Sequence, residues 1–163
     1  MAWAYVAKVV PLFDGDSRAQ PSLRARAMRF LARREHSRAE LQRKLSAVAE
    51  EGDNVEALLD DLAKKGWLSD ARFAEQIIRS KARRFGPLKA RHLLRGHGLE
   101  EETIAAAFRS AGTDGGSNLE TVWRSRFSEL PVNDRERGRQ VRFLQGRGFG
   151  LEAILKFLRE ASR

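Results

Sequence analysis

The sequence predicts an all-α protein, an elongated array of three tandem three-helix repeats. Three observations carry that expectation: apolar positions recur about every fifty residues, helix formers such as Ala, Leu, Arg and Glu dominate, and no segment alternates with a strand's two-residue period. Arg29, Ala32, Arg33 and Arg34 lie 50 residues before Arg79, Ala82, Arg83 and Arg84. Leu45, Val55 and Leu59 lie 49 residues before Leu94, Ile104 and Phe108, which lie 50 before Leu144, Ile154 and Leu158. Phe73 and Ile77 stand 50 before Trp123 and Phe127. Such spacing is the mark of stacked copies of one small helical design.

Residues 1–22 form a flexible lead-in. The stretch 1–13 is apolar but broken by Lys8 and Pro11; it lacks a basic start and a small-residue cleavage site, which argues against a signal peptide. The first unit, 23–66, begins with a helix over 23–35 that turns Ala27, Phe30 and Leu31 inward. Ser37-Arg-Ala-Glu40 has the spacing of a capping box and opens a second helix burying Leu41, Leu45 and Val48. A third helix over 54–65 buries Val55, Leu58, Leu59 and Leu62, and Gly66 can end it in the left-handed conformation.

The second unit, 67–112, repeats the plan. A helix over 70–85 is broken at Gly86-Pro87, with proline in the first turn of the next helix. Gly98 ends that helix, and 100–110 forms the third. Gly-rich residues 113–117 are a linker. The third unit, 118–163, takes helices over 119–130, 134–147 and 151–161, and Ser117 with Glu120 offers another capping box.

Charge follows the repeat. The net charge is +9, which points to an anionic partner such as nucleic acid, an acidic protein or a membrane surface. By segment it is +6 over 24–49, −4 over 50–66, +6 over 67–99, −4 over 100–122 and +4 over 123–149. Arg26, Arg29 and Arg33 share one face of the first helix, opposite its apolar stripe, and Arg72, Arg79 and Arg83 make the equivalent face in the second unit. With Arg34, Arg38, Arg43, Arg84, Lys89 and Arg91, they form the candidate partner- and nucleic-acid-binding set. In the third unit Glu129, Asn133 and Asp134 fall where the repeated basic residues would stand, so the ribbon is interrupted there.

Signals for chemistry are weak. With no cysteine, disulfides and thiolate zinc sites are excluded. His92 and His97 are five apart and do not share a helix face. Gly96-His-Gly98 and Gly146-Arg-Gly-Phe-Gly150 follow no strand, so they read as helix ends rather than phosphate loops. Glu100-Glu-Glu102 suits a helix N-terminus, and Asp60 and Asp61 suit i, i+4 pairs with Lys64 and Lys65. Trp67, Phe73, Phe85 and Trp123 occupy apolar positions and are expected in the core. No catalytic site, cofactor or metal is expected, and no apolar run is long enough to span a bilayer.

Trp67-Leu-Ser-Asp-Ala-Arg-Phe-Ala74 resembles the central signature of the bacterial regulatory RecX family. So do Ala32-Arg-Arg-Glu-His-Ser-Arg-Ala-Glu-Leu-Gln-Arg-Lys-Leu45, Gly86-Pro87 with the basic helix after it, and Gln140-Val-Arg-Phe-Leu-Gln-Gly-Arg-Gly-Phe149. The resemblance covers about residues 23–160. It implies a cytoplasmic, monomeric, non-enzymatic modulator of RecA that binds within the groove of the RecA filament on single-stranded DNA. There it restrains ATP hydrolysis, strand exchange and co-protease activity, in recombinational repair and the SOS response. Family members share no strongly marked ligand motif, so the resemblance assigns no contact residue. Two alternatives are a direct DNA-binding protein that uses a second helix as a helix-turn-helix reader, and a scaffold for acidic proteins that ignores nucleic acid.

Overall fold

The computed structural model describes residues 21–112 and 118–162. Among these it is all-helical: α1 (Leu23–Leu31), α2 (Arg38–Ser46), α3 (Val55–Lys64), α4 (Asp70–Lys81), α5 (Pro87–Gly96), α6 (Glu101–Ser110), α7 (Leu119–Arg124), α8 (Asp134–Gly146) and α9 (Leu151–Ala161). The expected lead-in and Gly-rich linker lie outside the described residues, apart from Pro21 and Ser22. The second expected capping box lies outside them too, since it needs Ser117.

Each trio closes its own core. Leu23, Ala27, Leu41, Leu45, Leu59, Leu62 and Leu68 are buried together in the first. Phe73, Ile78, Leu94, Ile104 and Phe108 anchor the second. Leu119, Trp123, Leu144, Phe149, Ile154 and Leu158 anchor the third. The residues at offsets of 49 and 50 therefore occupy matching core places, and Leu68 reaches back to seal the first core. Val48 and Trp67 are exceptions among the expected core residues: Val48 follows the end of α2, Trp67 follows the end of α3, and both are exposed.

Local chemistry explains the helix ends. Ser22, Ser37, Asn54, Ser69 and Asn133 each cap a helix by accepting a hydrogen bond from a backbone N–H three residues on. Pro87 opens α5 without needing an N–H partner. Gly66 takes a φ of +71° after α3, as expected. The capping box at α2 is half made: Ser37 Oγ accepts from the Glu40 N–H at 3.1 Å, but the Glu40 carboxylate turns to Arg34 and Lys44 instead.

Three first helices end sooner than the pattern predicts, each because other groups take over the carbonyls beyond them. After α1 the His36 ring bonds the Arg34 carbonyl at 3.0 Å. After α4 the Asn118 amide donates to the Ala82 and Phe85 carbonyls. After α7 the Gln140 amide donates to the Glu129 carbonyl at 3.0 Å, and Pro131 follows. Arg33, Arg34, Arg83 and Arg84 consequently lie on turns rather than on helix faces.

The joints between trios are built alike. Ser37, at the start of α2, donates its hydroxyl proton to the His97 carbonyl at the end of α5, 2.8 Å away. Gly86, at the start of α5, donates its N–H to the Arg147 carbonyl at the end of α8, also 2.8 Å. The residue after each of those carbonyls is a glycine at positive φ, Gly98 at +78° and Gly148 at +91°. A Cβ on Gly98 would lie 2.7 Å from the Ala39 Cβ, and one on Gly148 2.6 Å from the Lys89 backbone nitrogen. Asp70 and Arg38 N–H (2.7 Å) and Arg72 and Glu35 (2.7 Å) add polar links across the first joint.

Candidate nucleic-acid interface

The basic side chains expected to bind a partner separate into two groups by what they already touch. Arg26 is half-buried, with its Nε donating to the Pro21 carbonyl at 2.9 Å and Nη1 to the Val48 carbonyl at 3.0 Å. Val48 stands 49 residues before His97 and 99 before Arg147. Its carbonyl holds in the first trio the place that the joint carbonyls hold in the second and third, and Arg26 donates to it. Arg34 lies against the buried Glu40 carboxylate through both its terminal nitrogens. Burial alone would push the Glu40 carboxyl up, but hydrogen bonds from Arg34 and Lys44 pull it down to about 2.

Arg38 bridges Glu56 (2.9 Å) and Asp60 (2.6 Å) on α3; burial alone would lower its pKa, and those two carboxylates raise it instead. Arg72 pairs with Glu35 at 2.7 Å, Arg79 with Glu75 at 3.2 Å and Arg91 with Glu101 at 2.9 Å. The acidic third helices of units one and two thus neutralise much of the basic second helices. Exposed pairs such as Arg79–Glu75 contribute no more than about 1 kcal/mol and can be exchanged for a phosphate.

The other group is free of such partners. Arg29, Arg33, Arg43, Arg83 and Arg84 are exposed, and Lys89 lies with its ammonium 4.5 Å over the Phe85 ring. None of the six has a carboxylate within ion-pair distance among the described residues. Arg29 matches Arg79, Arg33 matches Arg83 and Arg34 matches Arg84 in the repeat. The structure thus separates residues that sequence alone treats as equivalents, because the carboxylates facing them differ from unit to unit.

The aromatic expectation holds in part. Phe73 and Trp123 are buried, Phe85 is half-buried, and Trp67 is exposed. The Trp67 ring lies between the Arg24 guanidinium at 5.5 Å and the Lys65 ammonium at 5.7 Å. Among the described residues no group of His, Asp and Glu is arranged to hold a metal ion, and no helix is long and apolar enough to cross a membrane.

The comparisons with known proteins agree on one family. A family model described as "RecX, second three-helix domain" matches residues 69–107, the α4–α6 trio. A regulatory protein RecX from Leptothrix cholodnii is 40% identical over 146 residues, covering 90% of this chain and 93% of that protein. The chain belongs to the RecX family. A further RecX, from Ralstonia nicotianae, is 40% identical over 140 residues, covering 86% of this chain and 88% of that one. The crystal structure of RecX from Lactobacillus salivarius superposes with a TM-score of 0.73, at 18% identity, over 85% of this chain and 93% of that one; it confirms the fold. This RecX chain therefore belongs with proteins named as regulatory.

In the third unit of this RecX chain, sequence reasoning missed a set. After Asn133 and Asp134, where the repeated basic residues are absent, Arg135, Arg139 and Arg142 follow on α8 at i, i+4 and i+7. All three are exposed, and together they line an open recess with Asn133 and Glu136. The helical spacing was the available signal. Aligning the third unit on the ends of the first helices, where Glu129, Asn133 and Asp134 fall, hides it.

Proposed function

We propose that this RecX chain binds the RecA filament on single-stranded DNA and restrains its ATPase, strand-exchange and co-protease activities. The observation that supports this most directly is the set of carboxylate-free cations, Arg29, Arg33, Arg43, Arg83, Arg84 and Lys89, recurring at the ends of the first helices and on the second helices of two stacked trios. A filament is itself periodic, so an array of like-signed groups can meet several protomers or phosphates at once. Bridging neighbours stabilises one subunit arrangement over another, and it does so only by the difference in affinity for the two. No chemistry by the regulator is needed. It acts as a cytoplasmic monomer in this reading.

Replacing Arg29, Arg33, Arg83 and Arg84 together by alanine is expected to weaken filament binding at least tenfold near physiological salt. Single-strand phosphate contacts each contribute roughly 0.7 to the slope of log affinity against log salt, so that slope should also flatten. Filament ATPase measured with wild-type and variant protein over a salt series checks this; unchanged inhibition by the variant would overturn it. A helix-turn-helix reader is less well supported, because Arg38 and Gln42 on α2 are both turned into carboxylates of α3.

A further inference from the structure

From the third unit we infer a separate seat for a nucleic-acid backbone, formed by Arg135, Arg139 and Arg142 on α8. It extends the reading above, adding a DNA contact that does not pass through the recombinase.

The three guanidiniums line an open recess of about 440 Å³. Like charges gathered on one face repel, and i, i+4 pairs of one sign disfavour a helix. Here no carboxylate among the described residues forms an ion pair with any of them. Glu136 is the one acid lining the recess, and its carboxylate accepts the Val132 N–H at 3.1 Å. The neighbouring helices of the same trio manage their charge differently: Arg124 pairs with Glu120 and Lys156 with Glu160.

Gly138 is the second sign. Glycine within a helix lowers its stability relative to alanine, yet Gly138 sits in the middle of α8. A Cβ there would lie 3.2 Å from Arg142 Nη1. Its absence lets the Arg142 guanidinium lie close along the helix surface, one turn back toward Arg135 and Arg139.

The spacing suits a strand of phosphodiesters. Seven residues of helix rise about 10 Å, a row long enough to meet more than one phosphate of the same strand. Guanidinium forks match phosphate oxygens in pairs. The seat reads backbone and carries no base preference.

The test uses the full chain and a labelled oligothymidylate, without recombinase, by fluorescence anisotropy over a salt series. The variant R135Q/R139Q/R142Q, kept helical by glutamine, should bind at least tenfold more weakly at low salt, with a slope of log affinity against log salt lower by about 2. Gly138→Ala should weaken binding while keeping every charge. Unchanged thermal melting of both variants shows that folding is not the cause; should the triple variant melt early, G138A alone carries the test. An unaltered slope and affinity would overturn the proposal. So would displacement of the DNA by polyglutamate at the charge concentration at which unlabelled oligothymidylate displaces it, which would mark a site for acidic protein. Failure of filament inhibition with this DNA binding intact would count against the proposed function alone.

Discussion

Replacing Glu40 by alanine is expected to destabilise the first trio by about 3 kcal/mol, roughly the lower end of what removing one partner of a buried ion pair costs. The lower end applies because Arg34 and Lys44 are partly exposed and can turn to water, while His36 is buried. Hydrogen-exchange mass spectrometry should show α1 to α3 losing protection while α7 to α9 keep theirs. The charge of Glu40 makes this stability pH-dependent. Its carboxyl falls from an ordinary 4.5 to about 2 in the folded chain, a gap worth about 3 kcal/mol at 1.36 kcal/mol per pH unit. A depressed carboxyl contributes fully above 4.5 and loses that contribution as pH falls toward 2.

His36 acts in the same direction. Burial lowers its pKa from 6.5, and the Arg34 and Lys44 charges lower it further, against the raising influence of its bond to the Arg34 carbonyl and of Glu40. The neutral ring sits with Nε2 3.0 Å from the Lys44 ammonium, which donates to it, and Nδ1 donating to the Arg34 carbonyl. Below 6.5 an unfolded histidine takes up a proton that the folded one resists, so stability falls with pH there too. Denaturant titrations from pH 7 to 3 should show a steep acid loss in the wild type and a shallower one in Glu40→Gln. Parallel acid limbs would refute the assignment.

The second large effect is expected at Gly148. Valine there must adopt a φ of +91° and place its Cβ about where Lys89 Cβ and backbone nitrogen already stand, at 2.5 and 2.6 Å. Left-handed backbone alone costs roughly 1–2 kcal/mol for a side chain with a Cβ. The collision is with main chain, which cannot step aside, so the hydrogen bonds from Gly86 and Leu88 to the Arg147 and Gly148 carbonyls should break. The third trio should undock while its core stays folded, read as an increased radius in small-angle scattering with helicity retained. Gly52→Ala is the control: its φ is +92° but no atom lies within 4 Å of the added Cβ, so strain should be its only cost.

The architecture was legible because it depends on periodicity, which survives translation from chain to structure. Leu45, Leu94 and Leu144 are fully buried, as their spacing requires. The binding set was legible only in part. Arginines 29 and 79 are equivalent in the repeat, yet only Arg79 has a glutamate one turn away on its own helix. Arg38 and Arg43 lie on the same basic helix, but α3 presents its acids to the first alone. Such pairings depend on which side chains a neighbouring helix delivers, and composition by segment averages over them. Arg26 carries the clearest lesson: the pattern places it on a ligand-facing stripe, whereas the fold turns it onto the Pro21 and Val48 carbonyls.

The three cores share no residue, and adjacent trios are held by hydrogen bonds, the Arg72–Glu35 ion pair and the close contacts at Gly98 and Gly148. Those bonds are short and directional, so they fix how adjacent segments are aimed, while contributing little to cooperativity between them. A molecule made this way is a short series of links, each closed around its own core. Loosening one joint should therefore leave the interior of every link undisturbed.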